Sequence, residues 1–349
     1  MKSNKKTKLC FVASGGGHLR QLLQLSPLYK EFSYYFITEK TPLGEYLCDQ
    51  HQTLFVPHFA FGQRRTKGWF FFLFSGIKNL LISTWLFIKE RPDIIISTGA
   101  GAAFFTLLWG YIFRKKIIYI ESIARVTKVS LFGTLAARFT GLCIVQWPGL
   151  IKELKGAQYC SPLVVKDIEN DSEREGILIT VGTVMPFDRM VSGVSLLKKE
   201  GRLSGPIVAQ IGNSKTKFEG IDAFESCSFA ELNERMNIAD IVICHGGSGS
   251  ILGALKAGCH VIAMARKHEY GEHYDNHQTD ITNAFWEMGL ISVAKDENDL
   301  WRAIEEARGK ERKIVEIDSS HYLAAIREFI LGIKSRRNYA HSQPIKTLE

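Results

Sequence analysis

Two glycine-flanked histidines and one cluster of polar side chains hold most of the reactive chemistry in this chain. His245-Gly246-Gly247-Ser248-Gly249-Ser250 follows the apolar run Ile241–Cys244. After the next apolar run come Arg266, Glu272, Asn276, His277 and Gln278. Glycine lets an anion approach the main chain, and free N–H groups at a helix start carry partial positive charge, so such a loop is an anion seat. The carboxylate, amide and imidazole groups that follow suit a polyhydroxylated ligand. Earlier in the chain, Ser14-Gly15-Gly16-Gly17-His18 and Thr98-Gly99-Ala100-Gly101 repeat the arrangement. None of the three loops is a dinucleotide fingerprint, since Leu252 and Phe104 stand where the third glycine would be. No Gly-Lys-Ser/Thr follows to make a nucleotide-triphosphate loop. A plain tight turn between strand and helix stays open for each of them.

The elements that must carry these loops alternate strand and helix. Leu9–Ala13, Tyr34–Ile37, Thr53–Val56, Asp93–Ser97, Lys116–Ile120 and Leu142–Gln146 read as short buried strands. Leu19–Tyr29 and Ala102–Phe113 have helical apolar spacing. The charged stretch Asp167–Gly176 reads as a linker, after which the alternation resumes at Ile177–Val181 and Gly182-Thr183. Ile207–Ile211, Ile241–Cys244, Cys259–Met264 and Ile291–Ala294 supply strands. Pro186-Phe187-Asp188, Phe229–Met236 and Asn298–Arg308 mark helices, and His321–Arg337 is amphipathic. Two parallel α/β domains are expected, 1–166 and 177–318, with residues 319–349 as a last helix and polar tail.

Trp69–Ile88 is long and apolar enough to cross a membrane, with Lys78 its one charge. Ser75, Lys78, Asn79 and Ser83 share a stripe, however. A crossing would also put the Gly15 and Gly99 loops on opposite sides of a bilayer. A helix lying on the sheet with one face at the lipid fits better, with Trp69, Trp85, Arg64, Arg65 and Lys67 suited to an interface. The charge agrees: residues 1–160 carry 21 Lys and Arg against 8 Asp and Glu, the remainder 23 against 28. A basic first half calls for an anionic partner, a membrane surface or a pyrophosphate. Nucleic acid is disfavoured because no binding motif accompanies the charge. Seven cysteines without a C-x-x-C pair suit a reducing cytoplasm, and the apolar run that ends at Ser14 is too short for a signal-peptide core.

His245–Leu255 followed by Glu269–Gln278 resembles the donor half of the GT-B glycosyltransferases of family 28. It is similar to the catalytic subunit of the two-part transferases that glycosylate lipid pyrophosphates, both the eukaryotic dolichyl-linked enzyme and bacterial capsule and exopolysaccharide pairs. The first half resembles their membrane-associated partner, with Glu121-Ser122-x-x-Arg125 matching its pattern, so the whole reads as a fusion. The resemblance implies a GT-B fold, two Rossmann-like domains facing across a cleft. It implies inverting transfer of a hexosyl group from a UDP-sugar to a sugar on a polyprenyl (undecaprenyl-type) pyrophosphate. The chain would act peripherally at the cytoplasmic face of the membrane, with no metal and no cofactor.

The resemblance also assigns residues. Ser14, Gly15, Gly16, Gly17, Thr98, Gly99, Gly101 and Arg125 would hold the acceptor. His18 would remove its hydroxyl proton with help from Glu121, a neutral imidazole being suited to that near pH 7. Glu121 as a cap or salt-bridge partner remains equally open. Gly182, Thr183, His245 to Ser250, Arg266, Glu272, Asn276, His277 and Gln278 would hold the donor, with Arg266-Lys267 suiting a uronate. One departure stands out: many members carry a glutamate for the ribose where this chain has Gly253. A zinc site at His273 and His277 lacks the glutamate that H-E-x-x-H requires, and Gly247-Ser248-Gly249 is no nucleophile elbow. A UDP-sugar epimerase of the same fold and a non-catalytic membrane scaffold remain open as other functions.

Overall fold

The structure, a computed structural model, describes residues 6–59, 68–168, 173–182, 185–273 and 276–332. Arg64, Arg65, Lys67 and Thr183 lie outside the described residues. The chain divides into two compact units. One comprises the residues up to Pro162 with the C-terminal helix from Ser319; the other runs from Leu163 to Asp318.

In the first unit, β1 (Lys8–Ala13), β2 (Ser33–Thr38), β3 (Thr53–Phe55), β4 (Ile94–Gly99), β5 (Lys116–Ile120), β6 (Leu142–Val145) and β7 (Gln158–Tyr159) form a parallel sheet in the order β3-β2-β1-β4-β5-β6-β7. Its central strands are near-continuous apolar runs because both faces are covered. The strand order reverses between β1 and β4, so the loops that leave their carboxyl ends diverge and open a crevice. These are the Ser14–Gly17 and Gly99–Gly101 loops.

Helix α1 (Gly17–Leu23) packs Leu19 and Leu22 on Phe11 and Ile96. It is shorter than the Leu19–Tyr29 expected, because Ser26-Pro27 breaks the ladder and the chain continues as a 3₁₀ turn, Ser26–Lys30. Helix α2 (Pro42–Gln50), which apolar spacing alone did not reveal, is capped by the Thr41 hydroxyl accepting from the Gly44 amide, with proline at its first position. Helices α3 (Trp69–Glu90), α4 (Phe104–Ile112) and α5 (Leu131–Ala136) follow in the chain.

Helix α3 is inside-out. Its buried residues include Ser75, Asn79, Ser83 and Glu90, whereas Phe70, Phe74, Ile77, Leu81, Trp85 and Ile88 face outward. Asn79 donates to the Pro57 carbonyl at 2.7 Å, and the Ser83 hydroxyl donates to Asn79 at 3.0 Å, so these two inward polar groups are partnered. Lys78 is exposed and does not share their face, which corrects the expected four-residue stripe. Helix α4 adds exposed Tyr111 and Ile112, followed by Phe113.

In the second unit, β9 (Ile177–Thr180), β10 (Ile207–Gln210), β11 (Asp222–Phe224), β12 (Ile241–Cys244), β13 (His260–Ala263) and β14 (Ser292–Val293) make a second parallel sheet in the order β11-β10-β9-β12-β13-β14. The order reverses between β9 and β12. Around it lie α6 (Asp188–Lys199), α7 (Phe229–Ile238), α8 (Ser248–Lys256), α9 (His277–Glu287) and α10 (Leu300–Arg308). Val191 and Val194 of α6 and Ile304 of α10 close the core over Ile179, Ile243 and Ile262.

A separate antiparallel pair joins β8 (Leu163–Asp167) to β15 (Lys313–Ile317). This pairing moves the boundary: the second unit begins at Leu163, not after a linker from Asp167, because β8 is tied to a strand at the far end of that unit. The last helix, α11 (Ser320–Leu331), adds Tyr322, Ile326 and Ile330 to the first unit's core.

Candidate active site

In the first unit the residues predicted to hold the acceptor gather where β1 and β4 part. His18 Nδ1 lies 2.7 Å from the Thr98 carbonyl. A carbonyl only accepts, so Nδ1 carries the hydrogen and Nε2 keeps its lone pair. Thr98 returns the bond, its hydroxyl donating to the His18 carbonyl at 2.8 Å. Burial pushes the His18 pKa below its ordinary 6.5, and the nearby Arg125 guanidinium adds to that effect against the Thr98 bond. The imidazole is therefore neutral at pH 7, in the tautomer a base requires. Arg125 is half-buried, and its guanidinium makes no hydrogen bond or ion pair among the described residues.

Glu121 does not orient His18. Its side chain is fully buried and accepts from Tyr119 (3.0 Å), the Ser122 amide (2.8 Å), the Ser130 amide (3.0 Å) and the Ser130 hydroxyl. It braces the 122–130 loop that carries Arg125, and the Thr98 carbonyl has the orienting role. Ser14 and Thr98 are braces as well: the Ser14 hydroxyl accepts from the Ala102 amide at 3.3 Å and so ties the two glycine loops together. The Gly99 amide is taken by Ser97 and the Gly15 amide by Glu39, at 3.0 and 3.3 Å. Gly16, at φ 69°, Gly17 and Gly101 remain on the open side, and α1 begins with no side-chain cap.

In the second unit the Gly182 turn and the His245–Ser250 loop flank the matching point between β9 and β12. His245 Nδ1 donates to the Thr180 carbonyl at 3.3 Å, the same device as His18 with Thr98. Its ring fills the space between two turns. A β-carbon on Gly182 would lie 2.7 Å from His245 Cε1, and one on Gly247 would lie 2.5 Å from Nε2. Burial, reinforced by Arg266, pushes the His245 pKa down to about 3. The ring is thus a neutral wedge that shapes the loop. Ser248 and Gly249 open α8 with no side-chain cap, and nothing stands near Gly249. This helix start has its first amides uncapped by side chains, the arrangement an anion seat requires.

Several predicted donor ligands have partners within the protein. Arg266 is buried, and its guanidinium donates to the Val181 carbonyl at 2.5 Å and to the Met185 carbonyl. Both bonds use one terminal nitrogen, and Arg266 Nε has no hydrogen-bond partner among the described residues. Glu272 accepts from Arg189 Nε and Nη2, at 2.9 and 3.0 Å, and from the Lys267 amide at 2.9 Å. Gln278 accepts from the Arg266 amide at 3.2 Å beside Gly246, and Asn276 accepts from the His268 amide at 2.9 Å. His277 lies edge-on to His273, ring centroids 4.8 Å apart. Sequence reading missed Glu39, Arg189 and the Thr180–Gln210 bond of 2.8 Å that pins the Gly182 turn. For these the sequence holds no signal beyond a polar residue at the end of a strand or helix.

Comparison with known proteins covers both units. Residues 56–163 match the family "Oligosaccharide biosynthesis protein Alg14 like", and residues 176–328 match the glycosyltransferase family 28 C-terminal domain. The UDP-N-acetylglucosamine transferase subunit alg14 of Schizosaccharomyces pombe is 40% identical over 73 residues, 20% of this chain and 35% of the relative. The ALG14 subunit of Mus musculus is 27% identical over 180 residues, 45% of this chain and 83% of the relative. The chain thus spans about a third of the length of the fission-yeast relative. Among solved structures, Acinetobacter baumannii MurG superposes with a TM-score of 0.60 at 14% identity, over 86% of this chain and 92% of its own. A UDP-N-acetylglucosamine 2-epimerase superposes with a TM-score of 0.59 at 13% identity, over 94% and 96%. At such identity the likeness speaks to fold alone. With two parallel sheets, each carrying its glycine loops at a switch point, the chain joins an Alg14-like region to a glycosyltransferase family 28 C-terminal domain in one polypeptide of GT-B fold.

Proposed function

We propose that this chain is an inverting glycosyltransferase that moves a hexosyl group from a UDP-sugar to a saccharide on a polyprenyl pyrophosphate, in capsule or exopolysaccharide assembly. The observation that carries the reading is the pairing of His18 and Arg125. A neutral imidazole whose Nε2 makes no hydrogen bond among the described residues lies within electrostatic reach of a half-buried guanidinium that has no anionic partner among them. A base next to an unanswered cation suits a hydroxyl nucleophile tethered to a pyrophosphate. In the reaction the acceptor oxygen bonds to the sugar's anomeric carbon, the bond to UDP breaks, and the hydroxyl proton passes to His18 Nε2. The start of α8 would take the charge of the departing diphosphate, the part a metal ion plays in other transferases, so no metal is required. The outward apolar face of α3 supports a monotopic seat on a membrane, which this reading assigns to the cytoplasmic face. An apolar groove of about 420 Å³, lined by Phe87, Ile88 and Phe113 and edged by Arg91 and Lys115, suits the lipid side of such a seat.

UDP release tests the proposal. UDP-glucose, UDP-galactose, UDP-glucuronate and UDP-N-acetylglucosamine are supplied in turn, with and without a short-chain polyprenyl-pyrophosphate monosaccharide. The expected result is acceptor-dependent release with one donor, unchanged by EDTA. Acceptor-independent conversion of the sugar would favour the epimerase, whose fold matches equally well; an inactive chain would favour a scaffold. The epimerase reading leaves the outward apolar face of α3 without a purpose.

A further inference from the structure

Glu39 follows β2, the strand beside β1, and its carboxylate is buried against the loop that carries His18. One oxygen accepts from the Gly15 amide at 3.3 Å; the other meets His58 Nδ1 at 2.8 Å. Its main chain is fixed too: the Glu39 carbonyl accepts from the Thr41 amide at 2.9 Å and lies where a β-carbon on Gly44 would intrude at 2.5 Å. Thr41 itself presses on the loop, since a β-carbon on Gly15 would sit 2.7 Å from Thr41 Cγ2. Burial pushes the Glu39 carboxyl upward, but the bonds from His58, the Gly15 amide and Ser14 outweigh it and hold the group below its usual range. A fixed anion therefore occupies the first amide of a loop whose composition alone suggested a phosphate seat.

We propose that Glu39 is a positioning residue for the acceptor reaction, clamping the Ser14–Gly17 turn so that His18 keeps its place against Thr98. The proposal rests on His18 as the base. Its second consequence is that phosphate is turned away from the Gly15 amide, leaving the Gly16–Gly17 side and Arg125 for the acceptor's charge. His58, half exposed on the far side of the carboxylate, sets the rotamer of Glu39.

Glu39→Gln keeps the shape but cannot accept from Gly15 and His58 together. In the full-length chain it should lower kcat for acceptor transfer about 10-fold with the UDP-sugar KM within about twofold of wild type. On a His18→Ala background it should cost nothing further, because both changes remove the same positioned base. Hydrogen–deuterium exchange across residues 12–20, which needs no activity, should quicken in Glu39→Gln. His58→Asn, a half-exposed and milder change, should give a smaller effect of the same sign and guards against a variant that fails to fold. Unchanged exchange in Glu39→Gln, or a kcat loss that multiplies in full on the His18→Ala background, would overturn the proposal. A loop that loosens in a chain transferring no sugar would overturn the glycosyltransferase reading and leave the clamp in place.

Discussion

If the outward face of α3 meets lipid, replacing Phe74 and Leu81 together with serine should release the chain from membranes without unfolding it. Phe74 is 67% exposed and Leu81 65%. A phenylalanine side chain offers roughly 200 Å², so about 130 Å² of Phe74 faces outward. At about 25 cal/mol per Å², full immersion of Phe74 would be worth about 3 kcal/mol, and Leu81 would add about 1.5. A helix lying in the interface is immersed on one side only, which brings the pair to about 2 kcal/mol, near 30-fold in partition coefficient. Flotation with vesicles containing anionic lipid reads this directly. The melting temperature should move little, because neither side chain is in the core. The inward face makes the opposite demand. Asn79→Leu strands the Pro57 carbonyl and the Ser83 hydroxyl in a buried site and should cost about 2–4 kcal/mol of stability. The reasoning fails if Phe74→Ser/Leu81→Ser floats with vesicles as well as wild type, or melts like a core variant while Asn79→Leu does not.

Four further outcomes are expected. His245 titrates near 6.5 when unfolded but at about 3 when folded, so the unfolded chain binds the extra proton between those values. Stability should fall as pH drops from 6.5 toward 3, by about 1.4 kcal/mol per unit, and the fall should be shallower in His245→Gln; parallel urea-unfolding curves against pH would rule this out. The acid limb of kcat/KM should lie below the ordinary histidine value, since the His18 pKa is lowered by burial; a limb centred above 6.5 would remove His18 as base. Gly247→Ala drives a β-carbon into the His245 ring and should cost about 1–3 kcal/mol and weaken UDP binding in calorimetry, with His245→Ala relieving part of the loss; an undisturbed variant would refute the wedge. Glu272→Gln should destabilise by about 1–3 kcal/mol through Arg189 while leaving the choice of donor sugar unaltered; a changed sugar preference would restore Glu272 to the donor site.

What could be read in advance follows from which forces are local. Apolar strands followed by glycines leave a periodic mark, so both sheets and all three loops were legible, and the resemblance of the His245–Gln278 region added the family. Capping and long-range pairing leave a weaker mark. Helix α2 depends on Thr41 and Pro42, while β8 exists only because Lys313–Ile317 returns beside it from the far end of the unit. At the site, residue type fixed the candidates but not their duties. Arg266, Glu272 and Glu121 have the chemistry of ligands, yet Arg266 and Glu121 are buried and Glu272 is partly so, and a charge taken out of water requires partners. Here those partners are the protein's own: carbonyls for Arg266, Arg189 for Glu272, and Tyr119, Ser122 and Ser130 for Glu121. Arg125 is of the same type and is half-buried, but no such partner answers it among the described residues. That difference, invisible in a sequence where all four are single letters, is why the proposed reading gives Arg125, rather than the other three, the acceptor's charge.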